Sequence, residues 1–285
     1  MLPIGIMQGR LGPPESGRFQ SFPRSRWREE FARAAEAGLD RIEWIYDQYG
    51  VGANPLDTDA GCAQLLELSK STGVLVRSLV ADYFMDWPLV RPSGDEQRSR
   101  IEKLNWLIGR CAIIGIERIT LPFVDASRIE TPGESDAAIT AIEAALAAAA
   151  KHGIEIHLET SLNPRQFASL LNRIRHDLVK VNYDSGNSAS LGYLVREEFA
   201  AYGNRVGSVH IKDRVANGGT VALGTGNTDL PGLMDCLRSC GYRRDLILQV
   251  ARGAEGDEVA LARKNRQYVI DLMQRAGLAA EGTEP

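Results

Sequence analysis

Along the chain, short apolar runs that end in polar residues alternate with longer segments whose apolar positions recur every three or four residues. The first pattern marks a strand and the second an amphipathic helix. The runs are Ile4 to Gln8, Arg41 to Ile45, Val74 to Ala81, Arg118 to Pro122, Ile154 to Glu159, Leu178 to Asp184, Val206 to Lys212 and Leu246 to Val250. Start and stop signals frame the helices between them. Ser25 precedes the stretch Trp27 to Ala37, which Gly38 closes, and the alanine-rich stretch Ala137 to Lys151 ends at Gly153. Gly73, Gly115 and Gly241 are further stops, and Thr228 or Asp229 is placed to cap a helix with Pro231 in its first turn. Glu258 to Ala276 supplies the last long helix.

Eight βα units predict a single-domain α/β fold, the (β/α)8 TIM barrel, because a doubly wound sheet normally stops at about six strands. No linker divides the chain and no glycine-rich nucleotide fingerprint follows the first strand. One domain over residues 1–285 is expected, with a tail frayed from about residue 277.

In a barrel, alternate strand residues point inward, so the inner face can be listed. Glu155, His157 and Glu159 face in on strand five, Lys180, Asn182 and Asp184 on strand six, and Ser208, His210 and Lys212 on strand seven; Gln249 is the uppermost inward residue of strand eight. Buried charges cost several kcal/mol each unless paired or bound to a cation. Glu159, Asp184 and His210 form an O, O, N donor set suited to a divalent metal ion (Mn²⁺, Mg²⁺, Co²⁺ or Zn²⁺), and Gln249 can add an amide oxygen. All four sit at the carboxyl rim, where barrel enzymes place their chemistry. A hydrogen-bonded cluster that merely closes the barrel top is the alternative. His157, one layer lower, reads as a satisfied core histidine; His152 and His176 fall at helix ends.

Composition narrows the partners. With 33 Lys plus Arg against 37 Asp plus Glu, the net charge is -4, and no basic field exists to hold nucleic acid. The amino terminus lacks a secretion signal and no long apolar run could span a membrane, so a soluble cytoplasmic protein is expected. The cysteines, Cys62, Cys111, Cys236 and Cys240, contain no CxxC pair and read as packing thiols.

HLET around Glu159, NYDSGN around Asp184, VHIKD around His210 and LGTG at Leu223 to Gly226 resemble the xylose isomerase-like sugar phosphate isomerase/epimerase superfamily. GIMQGRL at the amino terminus and IEW on strand two extend the resemblance over nearly the whole chain. It implies a divalent metal held by Glu159, Asp184 and His210, a fourth ligand from strand eight, a sugar or hydroxy-carbonyl substrate chelated by the metal, and a homodimer or tetramer. Two departures stand out: Gln249 replaces the second glutamate of members that act as 3-epimerases, and Asn187 replaces a frequent histidine. Gln249 can coordinate but accepts no proton at ordinary pH.

The chemistry expected is enolisation, with Glu159 as the base, giving isomerisation or epimerisation of a small sugar or sugar phosphate. Lys212 would be a second base if desolvated, or a fixed charge paired with Asp213 or Glu159. Arg10, Arg214 and Arg252 follow strands one, seven and eight and would meet a substrate phosphate or carboxylate, or be surface residues. Asn217 to Asn227 reads as a flexible loop. Among the aromatics Trp44, Tyr83, Phe84 and Trp87, Trp87 is expected to line the site, whereas Trp106 packs. Gln8, Glu43 and Asn187 complete the candidate substrate contacts. The alternatives are a metal-assisted keto-sugar or inositol-derivative dehydratase, and a noncatalytic sugar-binding barrel; cleavage of nucleic acid would want a basic face and more ligands.

Overall fold

The computed structural model describes residues 1–278. Its elements are β1 (Ile4–Met7), α1 (Glu29–Glu36), β2 (Arg41–Ile45), α2 (Asp59–Thr72), β3 (Leu75–Val80), α3 (Tyr83–Asp86), α4 (Gly94–Ile114), β4 (Arg118–Phe123), α5 (Pro132–His152), β5 (Glu155–Thr160), α6 (Pro164–Arg173), β6 (Val179–Asp184), α7 (Ser185–Ser190), α8 (Val195–Tyr202), β7 (Val206–Ile211), β8 (Asp213–Arg214), β9 (Thr220–Val221), α9 (Leu230–Ser239), β10 (Leu246–Leu248) and α10 (Glu258–Arg275). Eight parallel strands close into a barrel in the order β1-β10-β7-β6-β5-β4-β3-β2. All eight expected runs are the barrel strands, and the fold is the (β/α)8 TIM barrel. The expected frayed tail lies outside the described residues beyond Leu278, which is itself buried.

Local signals explain most boundaries. Thr131 caps α5 in a reciprocal box with Glu134, so the helix starts at Pro132, five residues before the alanine-rich run from Ala137 predicts, and Gly153 closes it in the left-handed region at φ 67°. Asp229, rather than Thr228, caps α9 through the Gly232 amide. Ser25 caps nothing: its hydroxyl and amide bond Glu15, and α1 begins only at Glu29.

The barrel is sealed at its amino-terminal end by charge. Asp245, fully buried just before β10, accepts from Arg118 Nη2 at 2.6 Å and from Arg41 Nη1 at 2.8 Å. Since β4 and β10 stand four places apart in an eight-stranded ring, the Arg118–Asp245 pair spans the barrel. One layer up, His157 lies 2.7 Å from Ser208 Oγ and 2.9 Å from Glu155 Oε2, the core histidine the sequence suggested.

The segment after β7 is not a free loop. β8 and β9 pair antiparallel, and the Asp213 carboxylate accepts from the amides of Gly224, Gly226 and Thr228 at 2.8–3.1 Å. The expected flexible loop is therefore pinned by one buried carboxylate. Among the described residues no helix is long and apolar enough to cross a membrane, and the four cysteines are free thiols.

Candidate active site

Glu159, Asp184 and His210 come from the neighbouring strands β5, β6 and β7, and Asp184 stands directly beside His210 in the strand register. One ligand atom from each lies within 4.8 Å of the others, and all three residues are buried. His210 Nδ1 faces the two carboxylates, 3.5 Å from Glu159 Oε2 and 4.0 Å from Asp184 Oδ2. Its other nitrogen, Nε2, lies 2.7 Å from Glu43 Oε2, so a buried carboxylate stands behind the imidazole and fixes which nitrogen faces the cluster. Two carboxylate oxygens and one imidazole nitrogen converge as a donor set of the kind that holds a divalent cation, and the Asn182 amide nitrogen lies against two of the groups, 2.8 Å from Glu159 Oε2 and 3.2 Å from His210 Nδ1.

Electrostatics agree. Burial alone would lower the His210 pKa, but the Glu43 charge and hydrogen bond, then Glu159 and Asp184, outweigh it and push the value up to about 9. Burial, and then the Asp184 charge, raise Glu159 to about 7 despite His210 and Lys212. Glu43 is held below the usual range: burial acts to raise it, and His210, then Arg118, overcome that. Protonation of the cluster and binding of a cation would therefore compete.

Asn182 and Asn187 hold the Glu159 carboxylate. Asn182 Nδ2 donates to Glu159 Oε2 and Asn187 Nδ2 to Glu159 Oε1, both at 2.8 Å. The Lys212 ammonium reaches Asp184 Oδ2 at 3.3 Å, Asn187 Oδ1 at 3.3 Å and Gln249 Oε1 at 3.0 Å. Its partner is therefore Asp184, neither Asp213 nor Glu159. Above the cluster opens a cavity of about 630 Å³, lined among others by Glu159, Asn187, Lys212, Arg214 and Gln249 and by Gln20, Asp47, Asp82, Val80 and Pro122. That volume suits a small polar ligand.

A family model described as xylose isomerase-like TIM barrel matches residues 31–272. The chain belongs to that family. Among solved structures it is similar to the xylose isomerase domain protein from Planctomyces limnophilus, with 17% identity, 98% of this chain and 99% of that one covered, and a TM-score of 0.76. It is also similar to an L-ribulose 3-epimerase, at 19% identity, 100% of both chains and a TM-score of 0.76. A third is an IOLI protein with a bound zinc atom, at 15% identity, 96% and 99% coverage and a TM-score of 0.74. No curated protein matches the sequence.

Several candidate residues of this xylose isomerase-like barrel lie elsewhere than expected. Arg10 is buried and spends its guanidinium on Val250 O, Phe19 O and Gln20 Oε1. Arg252 donates to Phe19 O and Gly12 O. Neither lines the cavity; both hold the segment after β1 that carries Gln20. Arg214 does line it, but donates to Asn187 Oδ1 and Gly218 O. Gln8 Oε1 accepts from the Ile45 amide, and Glu43 lies beneath His210, so both are below the cavity floor. Trp87 sits outside, 43% exposed, its indole bonded to Gln48. Trp44 is a core residue packed by Phe22, Trp27 and Phe31. Gln249 faces the cavity with its carbonyl oxygen already accepting from Lys212. Cavity residues the sequence reading did not single out are Gln20, Asp47 and Asp82, which come from loops where no periodicity reports direction.

Proposed function

We propose that this barrel is a divalent-metal-dependent isomerase or epimerase of a small sugar or sugar derivative, acting by proton transfer beside a carbonyl with Glu159 as the base. The observation that carries the reading is the buried Glu159, Asp184 and His210 set at the floor of an open polar cavity, with Glu43 behind the imidazole. A divalent ion held by these three residues would supply a positive charge to stabilise negative charge on a substrate oxygen.

Everything else falls to the chain. Glu159, raised toward neutrality, suits reversible proton transfer near pH 7. Asn182 and Asn187 each hold one of its oxygens, so its carboxylate is aimed before substrate arrives. Asp184 and Lys212 form a fixed pair beside it, and Lys212 offers a cation to substrate hydroxyls or carbonyls at that wall. The epimerase and the zinc-holding protein among the structural neighbours support the same reading.

The test is metal content of protein purified without chelator, followed by incubation with ketoses in D₂O. About one ion per chain, lost in His210→Ala, with Glu159-dependent deuterium incorporation, is expected. Protein that takes up none of Mn²⁺, Co²⁺ or Zn²⁺, or exchanges no sugar proton, sinks the proposal.

A further inference from the structure

Resting on the reading just given, we propose that Asp82 is the second proton-transferring group, returning a proton to the carbon from which Glu159 removes one. Strand eight, which ends in an amide at Gln249, carries no carboxylate into the cavity, yet four others that the mechanism has not used line it: Asp47 is spent on the Phe22 and Gly50 amides, Asp86 and Asp125 are exposed to solvent, and Asp82 is left. Asp82 follows β3 and lines the wall. Among the described residues its carboxylate accepts a single side-chain hydrogen bond, from Gln20 Nε2 to Oδ2 at 2.7 Å, and pairs with no cation. Its other oxygen is therefore left to the cavity.

The surrounding amides show that this placement is built. Gln20 Oε1 accepts from Arg10 Nη2 at 3.0 Å and from Gln249 Nε2 at 3.1 Å. Arginine has only donors, so the Gln20 amide is locked with its NH₂ toward Asp82. Gln249 is locked in turn, with its oxygen on Lys212 and its nitrogen on Gln20. A glutamate at position 249 could not donate to Gln20 and would break this chain. The amide at strand eight and the carboxylate at Asp82 thus belong to one arrangement, whose far end reaches Asp184 through Lys212. Burial, offset by the Gln20 bond and reinforced by the charges of Asp47 and Glu43, raises the Asp82 carboxyl to about 6, where both protonation states are accessible.

Glu159 and Asp82 lie at the ends of β5 and β3, two places apart in a ring of eight, or a quarter-turn round the cavity. A planar enediolate standing along the bisector presents one face to each. The Glu159 carboxylate takes the hydrogen beside the carbonyl; the C–H pair becomes the C=C bond, and the carbonyl π pair moves to oxygen. The Asp82 carboxyl then gives its proton to the same carbon from its own side, the C=C pair forms the new C–H bond, and the carbonyl reforms. The carbon is inverted, Glu159 ends protonated and Asp82 ionised, and exchange with water in the open cavity restores both. No oxidant or reductant is involved.

The experiment compares wild type, Asp82→Asn and Glu159→Gln, each loaded with Mn²⁺, on a panel of unphosphorylated ketopentoses and ketohexoses in D₂O. Proton NMR reads solvent exchange at the carbon beside the carbonyl and inversion there separately. Asparagine keeps the shape and the Gln20 bond, and metal content reports that the site has formed. Inversion is expected to fall by about 100-fold in Asp82→Asn, with the ratio of exchange to inversion rising at least about tenfold; Glu159→Gln loses both. A merely structural role would lower exchange and inversion together. An exchange-to-inversion ratio in Asp82→Asn equal to that of an active wild type overturns the role of Asp82 alone. Wild-type protein that exchanges nothing overturns the Glu159 reading and this one with it.

Discussion

Asp245→Asn removes the charge that seals the amino-terminal end of the barrel and leaves its shape in place. In the native protein this carboxylate is fully buried and accepts from both Arg118 and Arg41. An asparagine oxygen can accept from only one side, and its NH₂ would face a second donor. Arg118 is also buried, with its Nε lacking a partner, so it has no route to water. Breaking a buried pair from one side costs about 3–5 kcal/mol; Glu43, whose charge also reaches Arg118, sets the expectation toward the lower end. With an unfolding entropy of about 2.1 cal/mol/K per residue, or roughly 0.6 kcal/mol/K here, Tm should fall by about 5–8 °C. The sign with pH follows from the Asp245 pKa, held below its ordinary value by Arg118 and then Arg41 against the opposing effect of burial. Its stabilisation is complete above the unfolded Asp pKa of about 3.9 and is lost as pH falls through the lower folded value. The gap between wild type and variant should therefore be constant above about pH 5 and close in acid. Differential scanning calorimetry across that range is the assay, with Arg41→Ala, whose side chain is partly exposed, as the milder control. A Tm within 1 °C of wild type, on the order of the smallest shift a kcal/mol produces, or a gap that widens in acid, would refute the reasoning.

Glu43→Gln should weaken divalent-ion affinity by about 10- to 100-fold with little loss of stoichiometry at saturating metal, because an amide oxygen can keep the close approach to His210 Nε2 but no longer carries charge; competition against a chelating dye measures it. In Gly186→Ala the new methyl would stand 2.6 Å from Lys212 Cγ and 2.9 Å from its Cβ, too close to the backbone for the side chain to swing away. It should cost about 1–3 kcal/mol in urea denaturation and displace Lys212 from Asp184 and Gln249. Asp213→Ala frees three amides at once, so hydrogen exchange at Gly224, Gly226 and Thr228 should accelerate while exchange in the barrel strands stays slow.

The strands and the Glu159, Asp184 and His210 set were legible because period-two alternation in a closed barrel states both that a residue points inward and how high it sits. Glu43 read as a substrate contact; what alternation does not report is depth relative to a strand across the barrel, and the residue braces His210 from below. Arg10 and Arg252 misled for a related reason. Following a strand says that a residue is near the rim, and a guanidinium that can donate five bonds goes wherever carbonyls are unpaired, here to Phe19 and its neighbours. Gln20 and Asp82 were invisible because loop direction is set by such tertiary hydrogen bonds and leaves no spacing in the sequence.

The charged seal at the bottom has a kinetic consequence. With Arg118 and Asp245 bridging the barrel floor, the large cavity lined by Gln20 and Lys212 is the wide opening onto the carboxylate cluster among the described residues. On the proposed function, ion, reactant and product would share that doorway, and a sugar seated above the cluster would cork a cation held below it. The dissociation rate of that cation should then drop as sugar occupancy rises, and a chelator added during turnover should act only in the intervals when the doorway stands empty.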